Sequence, residues 1–284
     1  MNRTISRFVK NTFAVTLPVL LLIVASSAAA QTTVFNPGCP VPFENLKSTG
    51  RPVDRCGIDG VGSTDSQHAQ NHAKNNLCLT TPPVPIVLQD FINLQATVQR
   101  EHIPFGSAQQ LPDDRSVLHN IYKTAFGNTV GEGTLVKYVG YILNAHYSDV
   151  SDGESVNCKM LGKINNDIHI TLSSTPTASP CQGIVAEIIP HLRPLAWEDI
   201  VTMPHTHPVL IVGQLFFDAS HHPCNSQGKG SPPRISIWEI HPIYAIFVCK
   251  GTSSAECKED NPQAWLPFDQ IHPSSKIATD ADYR

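Results

Sequence analysis

Thirteen histidines are spread over the 284 residues, and several stand beside carboxylates at spacings that can do chemistry. Histidine exchanges its proton near neutral pH, and its neutral ring is the commonest nitrogen ligand for a metal ion. Asp167 and His169 alternate with Ile168, Ile170 and Leu172. On a strand they therefore share the face opposite an apolar one. Asn157, Asn165 and Asn166 crowd the same region, which reads either as a polar ligand surface or as a solvated strand face. Glu239 and His241, in Trp238-Glu239-Ile240-His241-Pro242, share a strand face with Ile235, Ile237, Ile243 and Phe247. That places both in or close to the core, where a polar group needs a partner. Arg193 or Arg234 is expected to pair with Glu239, and backbone with His241. The pair reads first as a structural network and second as a perturbed acid–base pair.

A second set has the composition of a metal site. His205-Thr206-His207 lies between two prolines, and Asp218-Ala219-Ser220-His221-His222-Pro223-Cys224 joins a carboxylate to two imidazoles at a strand end. His205, His207, Asp218, His221 and His222 are the candidate ligands for zinc or another divalent ion. The competing reading is exposed loop histidines and a capped turn pinned by Cys224. No cofactor is otherwise expected. His68 and His72 are four apart, but the pentad His68-Ala69-Gln70-Asn71-His72 lacks the glutamate of a zinc peptidase. There is no Gly-x-Ser-x-Gly elbow, no phosphate-binding glycine loop and no dinucleotide loop, so no catalytic residue is assigned.

These residues must be held by strands preceded by helices. Residues 31 to about 60 are rich in turn formers. A helix is expected over Gln67–Leu77, capped by Ser63 or Thr64. Others are expected over Leu88–Glu101 and from about Asp114 to Ala125. From Thr134 the pattern changes to five strands: Leu135–Ala145, Asp167–Leu172, Ile184–Ile189, Pro208–Asp218 and Ile235–Cys249. A short helix, Arg193–Met203, falls between the third and fourth.

That order, with Gly140 and Gly213 inside long strands where a small barrel must bend, resembles the OB-fold, a five-stranded Greek-key barrel. The resemblance covers about residues 134 to 250 and is one of pattern, without a signature motif. It implies a mainly β fold with α elements and a ligand surface on the second and third strands. A β-sandwich is the alternative. The expected organisation is a signal peptide at 1–30, an irregular and helical region at 31–133, the barrel at 134–257 and a tail at 258–284.

Arg3, Arg7 and Lys10, the apolar run Phe13–Val24 and Ala28-Ala29-Ala30 have the order of a cleaved export signal. The sequence holds 20 basic and 24 acidic residues; the first 30 take three basic and no acidic ones, leaving 17 against 24. An acidic chain of this kind is a poor nucleic-acid binder, and no stable membrane insertion is expected after cleavage. Eight cysteines, Cys39, Cys56, Cys78, Cys158, Cys181, Cys224, Cys249 and Cys257, read as disulfides. Three precede residue 130 and five follow, so full pairing needs a bridge between the two regions. Cys249 with Cys257 is the favoured local pair. The expected protein is an exported, periplasmic or extracellular binding or interaction protein, with a protein, glycan or small ligand as partner. The pattern leans away from an enzyme; the alternative is a metal-dependent hydrolase using the His/Asp cluster.

Overall fold

The structure, a computed structural model, describes residues 51–202 and 206–271. The expected signal at 1–30, Cys39 and His205 lie outside the described residues. Five strands carry the fold: β4 (Leu135–Tyr147), β5 (Ile168–Ser173), β6 (Ile184–Ile188), β7 (Val209–Phe217) and β8 (Trp238–Cys249). β4 pairs with β5, β5 with β6 and β7 with β8, all antiparallel. β6 and β8 are parallel, and β7 returns to β4, which closes the ring. This is a closed, mixed five-stranded barrel with the expected OB-like order, and its closure removes the sandwich alternative. The segment between β6 and β7 is a 3-10 helix, Leu195–Val201.

Both expected bends are close backbone approaches. A Cβ on Gly140 would lie 2.8 Å from the Ser173 carbonyl oxygen, and one on Gly213 would lie 2.5 Å from the Pro242 carbonyl oxygen. Only glycine lets these strands cross so tightly. β7 and β8 also slip register around Gly213.

The N-terminal region and the tail both join the barrel. β1 (Val84–Pro85) runs parallel to β4, and β9 (Trp265–Pro267) adds to β8. Helix α1 (Asp65–Lys74) starts at Thr64, whose hydroxyl accepts from the Gln67 amide. Helix α2 (Leu88–Arg100) places Phe91, Leu94 and Val98 in the same apolar core as Ile168, Ile170, Ile184 and Ile240. Each such side chain contributes roughly 1.5–3 kcal/mol of burial. The expected helix from Asp114 does not form. Arg115–Leu118 is a single 3-10 turn, and β2 (Tyr122–Lys123) then pairs with β3 (Thr129–Val130). Asn120 stands at φ 53°, outside the helical region, and ends any continuation. A four-residue helix, α3 (Phe268–Ile271), follows β9.

Between described residues there are three disulfides: Cys56–Cys158, Cys181–Cys224 and Cys249–Cys257. Cys78 is bonded too, and none of the described cysteines is free. Cys56–Cys158 is the bridge between the two regions that the count required. Such bonds persist in an oxidising environment. No described helix is long and apolar enough to cross a membrane.

Candidate functional site

Strands β5 to β8 are buried on both faces almost throughout, whereas β4 exposes Asn144 and His146. The inner face is apolar. The outer face of β5, β6, β8 and β7 lies under α1 and the loop between β4 and β5, and it is charged. Asp167, Glu187, Asp218, Glu239, His241 and Arg234 are all within 1% of full burial, and Lys74 and Glu154 are nearly so.

Parity along the strands explains this. Ile168, Ile170 and Leu172 enter the core, so Asp167 and His169 point outward, as expected. Across the sheet His169 is the register partner of Glu187. Glu239 and His241 differ from expectation. Trp238 and Ile240 enter the core, so the two polar residues stand on the outer face, away from Ile237 and Ile243. The register slip between β7 and β8 brings Ile240 and Ile243 to the same side, so simple alternation fails across Pro242.

Two groups form on this outer face. In the first, His169 Nε2 lies 3.1 Å from Glu187 Oε1 and 3.4 Å from Glu154 Oε1. Nε2 makes no well-aligned hydrogen bond to either oxygen. His241 Nε2 donates to Asp167 Oδ2 at 3.2 Å and lies 2.9 Å from Glu187 Oε2. Lys74 Nζ approaches Glu187 Oε2 at 3.8 Å. Glu187 Oε2 still has no hydrogen-bond partner, though it is buried. Glu154 is fixed by its other oxygen, which accepts from Asn157 Nδ2 and the Asp167 amide, each at 3.1 Å. The Cys56–Cys158 bridge anchors the middle of that loop.

Ligating atoms of Glu154, His169 and Glu187 all lie within 4.8 Å of one another, as do those of Asp167, Glu187 and His241. Two carboxylates with one imidazole suit a divalent ion such as Zn²⁺ or Mn²⁺.

In the second group Asp218, at the end of β7, accepts from His221 Nδ1 at 2.5 Å and from Ser220 Oγ at 2.6 Å. Gln70 Nε2 donates to it at 3.4 Å. Arg234 Nη1 lies 3.4 Å from Asp218 and 2.8 Å from Glu239. Arg234 is thus the expected partner of Glu239, whereas Arg193 pairs with Glu198. His241 bonds carboxylates rather than the expected backbone.

The charges balance within this nest. Burial works against ionising Lys74, His169 and His241, but the surrounding carboxylates outweigh it. Lys74 and His169 are held well above their ordinary values, and Glu187 and Asp167 push His241 up to about 10. Burial would likewise raise Glu187 and Asp218. Instead His169 and Lys74 hold Glu187 well below the carboxylate range, and His221, Lys74 and Arg234 do so for Asp218. Glu239 goes the other way: burial, Glu187 and Asp218 push it up to about 8, against Arg234.

The two groups are neighbours. Gln70 touches Asp218 and Lys74 touches Glu187, and these residues are one helical turn apart, about 6 Å. On β8, Glu239 serves the Asp218 side and His241 the Glu187 side, two residues or about 7 Å apart. A cleft of about 490 Å³ opens beside both, lined by Lys74 and Glu154 of the first group and by Gln70, Ser220 and His221 of the second. A larger cleft of about 670 Å³ lies beside Asn76, His119 and Gln214 and meets neither ligand set.

The remaining expected ligands stand apart. His222 packs against Phe105, and His207 precedes β7 while Asp218 follows it, so the length of that strand separates them. Glu154, Glu187 and Lys74 were not singled out from sequence. Glu187 had a usable signal, as the lone acid in the apolar run Ile184–Ile189: a buried carboxylate there demands partners. Glu154 had none, since a loop and a long-range disulfide bring it in.

No protein-family model matches the chain, and no curated protein does. Among solved structures it is similar to an OBody, AM1L10, bound to hen egg-white lysozyme. The identity is 13%, the TM-score 0.23, and the match covers 41% of this chain and 80% of that one. The barrel ordering above therefore stands on the strand pairing alone.

Proposed function

We propose that this chain is an exported, disulfide-tied OB-like barrel that binds a divalent cation on its outer face through Glu154, His169 and Glu187. The observation that carries the reading is His169 Nε2. It stands within 3.4 Å of two carboxylate oxygens and makes a well-aligned hydrogen bond to neither. An ion-pair network built for stability would aim the ring N–H at one of them. Convergence of three ligand atoms without mutual hydrogen bonds suits an ion that all three coordinate.

Electrostatics supports the exchange. The imidazolium protons of His169 and His241 are the charge that a divalent ion replaces, so uptake leaves the nest neutral overall. Asp167 and His241 then act behind the ligands, orienting Glu187 through its second oxygen. The location agrees with the ligand surface that the OB-like order implies for the second and third strands. The partner class is a small ligand in the 490 Å³ cleft, approaching the ion past Glu154, the ligand that lines it.

The test is calorimetric titration of the full chain with Zn²⁺ and with Mn²⁺, alongside Glu187→Gln and Glu154→Gln. One ion per chain is expected, with affinity falling at least about 100-fold in each variant, because even outer partners of metal ligands are worth 10–100-fold. Equal binding by all three proteins would overturn the reading.

A further inference from the structure

We infer that a second cleft, of about 850 Å³ beside His221, binds a small organic acid through Lys229, with the acid's apolar body against Phe105. The inference does not rest on the cation site proposed above.

The chain builds this cleft from a loop that is held at several points. β7 ends at Phe217, and the Cys181–Cys224 bridge pins the segment that follows. Beyond Cys224 the turn closes on Asn225. Its Oδ1 accepts from the Gln227 and Lys229 amides at 2.9 and 3.1 Å, and its own amide donates to the Lys229 carbonyl at 2.9 Å. An asparagine that bonds its own turn in this way fixes the backbone, so Lys229 extends from a set position. His222 is seated as well. Its ring meets Phe105 edge to face, with centroids 5.9 Å apart, and lies over Gly106, where a Cβ would come within 2.1 Å of His222 Cε1. The Gly106 amide donates to the Ala219 carbonyl at 2.7 Å, which ties this wall to the start of the loop. Phe105 in turn packs on the barrel core.

Charge and surface give the ligand class. Lys229, His221 and His222 line the cleft, and no carboxylate does. Among the described residues, neither Lys229 Nζ nor the His222 ring nitrogens have a hydrogen-bond or ion-pair partner. The carboxylates close by in sequence are taken. Asp218 is buried and bound to His221 and Arg234, and Glu101 pairs with Arg100. An uncompensated ammonium in a concave site attracts an anion, and a carboxylate answers it with a charged hydrogen bond. Phe105 and Pro223 add apolar surface to the lining, which favours an acid with a hydrocarbon body over a bare ion. The volume is that of a small-molecule site.

The experiment is an NMR titration of the full chain, disulfides intact and without added metal, so its outcome is independent of the cation site. The probes are benzoate, benzyl alcohol, which lacks the charge, and acetate, which lacks the ring. Benzoate is expected to saturate, and the other two to bind at least about 10-fold more weakly, since each lacks one of the two contacts. Lys229→Gln should weaken benzoate by about 10-fold or more, the worth of one charged hydrogen bond. Lys229 is exposed, so its melting temperature should match the parent. Lys123→Gln, which removes an exposed lysine outside the cleft, should bind benzoate as the parent does. Benzoate that does not saturate, benzyl alcohol or acetate that binds as well, or a Lys229→Gln variant no weaker than Lys123→Gln would overturn the inference.

Discussion

The two faces of one barrel are held by different physics. On the inner face, Ile168, Ile170, Ile184, Ile240 and Phe217 fill space. Each contact there is weak and non-directional, and a lost methylene is felt as a void. On the outer face, one residue away along the same strands, Asp167, His169, Glu187, Glu239 and His241 are as deeply buried or nearly so, but each depends on a particular partner. Apolar packing of equal volume would serve stability as well or better. The comparison therefore teaches that the outer face depends on specific charged partners, with the inner face carrying the fold.

Substitutions can break that comparison, and the largest expected effect is on the charged side. Arg234→Met should cost about 3–5 kcal/mol, because Asp218 loses its buried cation and Glu239 its hydrogen-bond donor. Chemical denaturation measures it, and a cost below about 1 kcal/mol would show that water reaches the nest. On the inner face, Ile170→Ala should cost about 2–5 kcal/mol through its cavity while metal affinity stays constant. Metal affinity that falls in step with stability would show that the faces are not separable.

Smaller effects sharpen the picture. Replacing both Cys249 and Cys257 by Ala should cost roughly 2–3 kcal/mol, since the bridge closes a span of only eight residues. It lies far from the outer-face ligands, so ion binding should survive; a lost ion would contradict the placement of the site.

The smallest effect at low pH belongs to Glu239→Gln. Arg234, Glu187, Asp218 and Lys74 face this carboxyl. Its folded value of about 8 exceeds the ordinary unfolded value of about 4.3. Between the two the folded chain keeps a proton that the unfolded chain has lost, so stability falls as pH rises through this window. The glutamine variant carries no such penalty. Its melting temperature should match the parent near pH 4 and exceed it near pH 8. Asp218 and Glu187 act in the opposite sense: both are depressed, so their stabilisation is complete above the ordinary carboxylate range and is lost as pH falls below it.

Much of the frame could be read in the sequence because local rules decide it. The alternation at 167–172, the glycines at 140 and 213, the Thr64 cap and the short Cys249–Cys257 span are all matters of nearest neighbours. Half of the site followed from the same logic, since Asp167 and His169 do share an outer face, and Glu239 does pair with Arg234. The rest depended on long-range events. Lys74 arrives from a helix more than a hundred residues before Glu187, and Glu154 sits on a loop tied down by Cys56–Cys158. The register slip near Pro242 reversed the expected facing of Glu239 and His241, which no alternation pattern could foresee.

Metal stoichiometry tests the central claim most directly. The full chain and its Glu187→Gln variant would be equilibrated with Zn²⁺ or Mn²⁺, freed of excess ion by gel filtration and analysed for bound metal. Glu187 touches both ligand sets, so its charge is the one the site cannot lack. The expected result is one ion per parent chain and none on the variant, with both proteins folded. A parent chain that emerges metal-free, or a variant that holds the ion as tightly, would show that the outer face is a structural ion-pair network and nothing more.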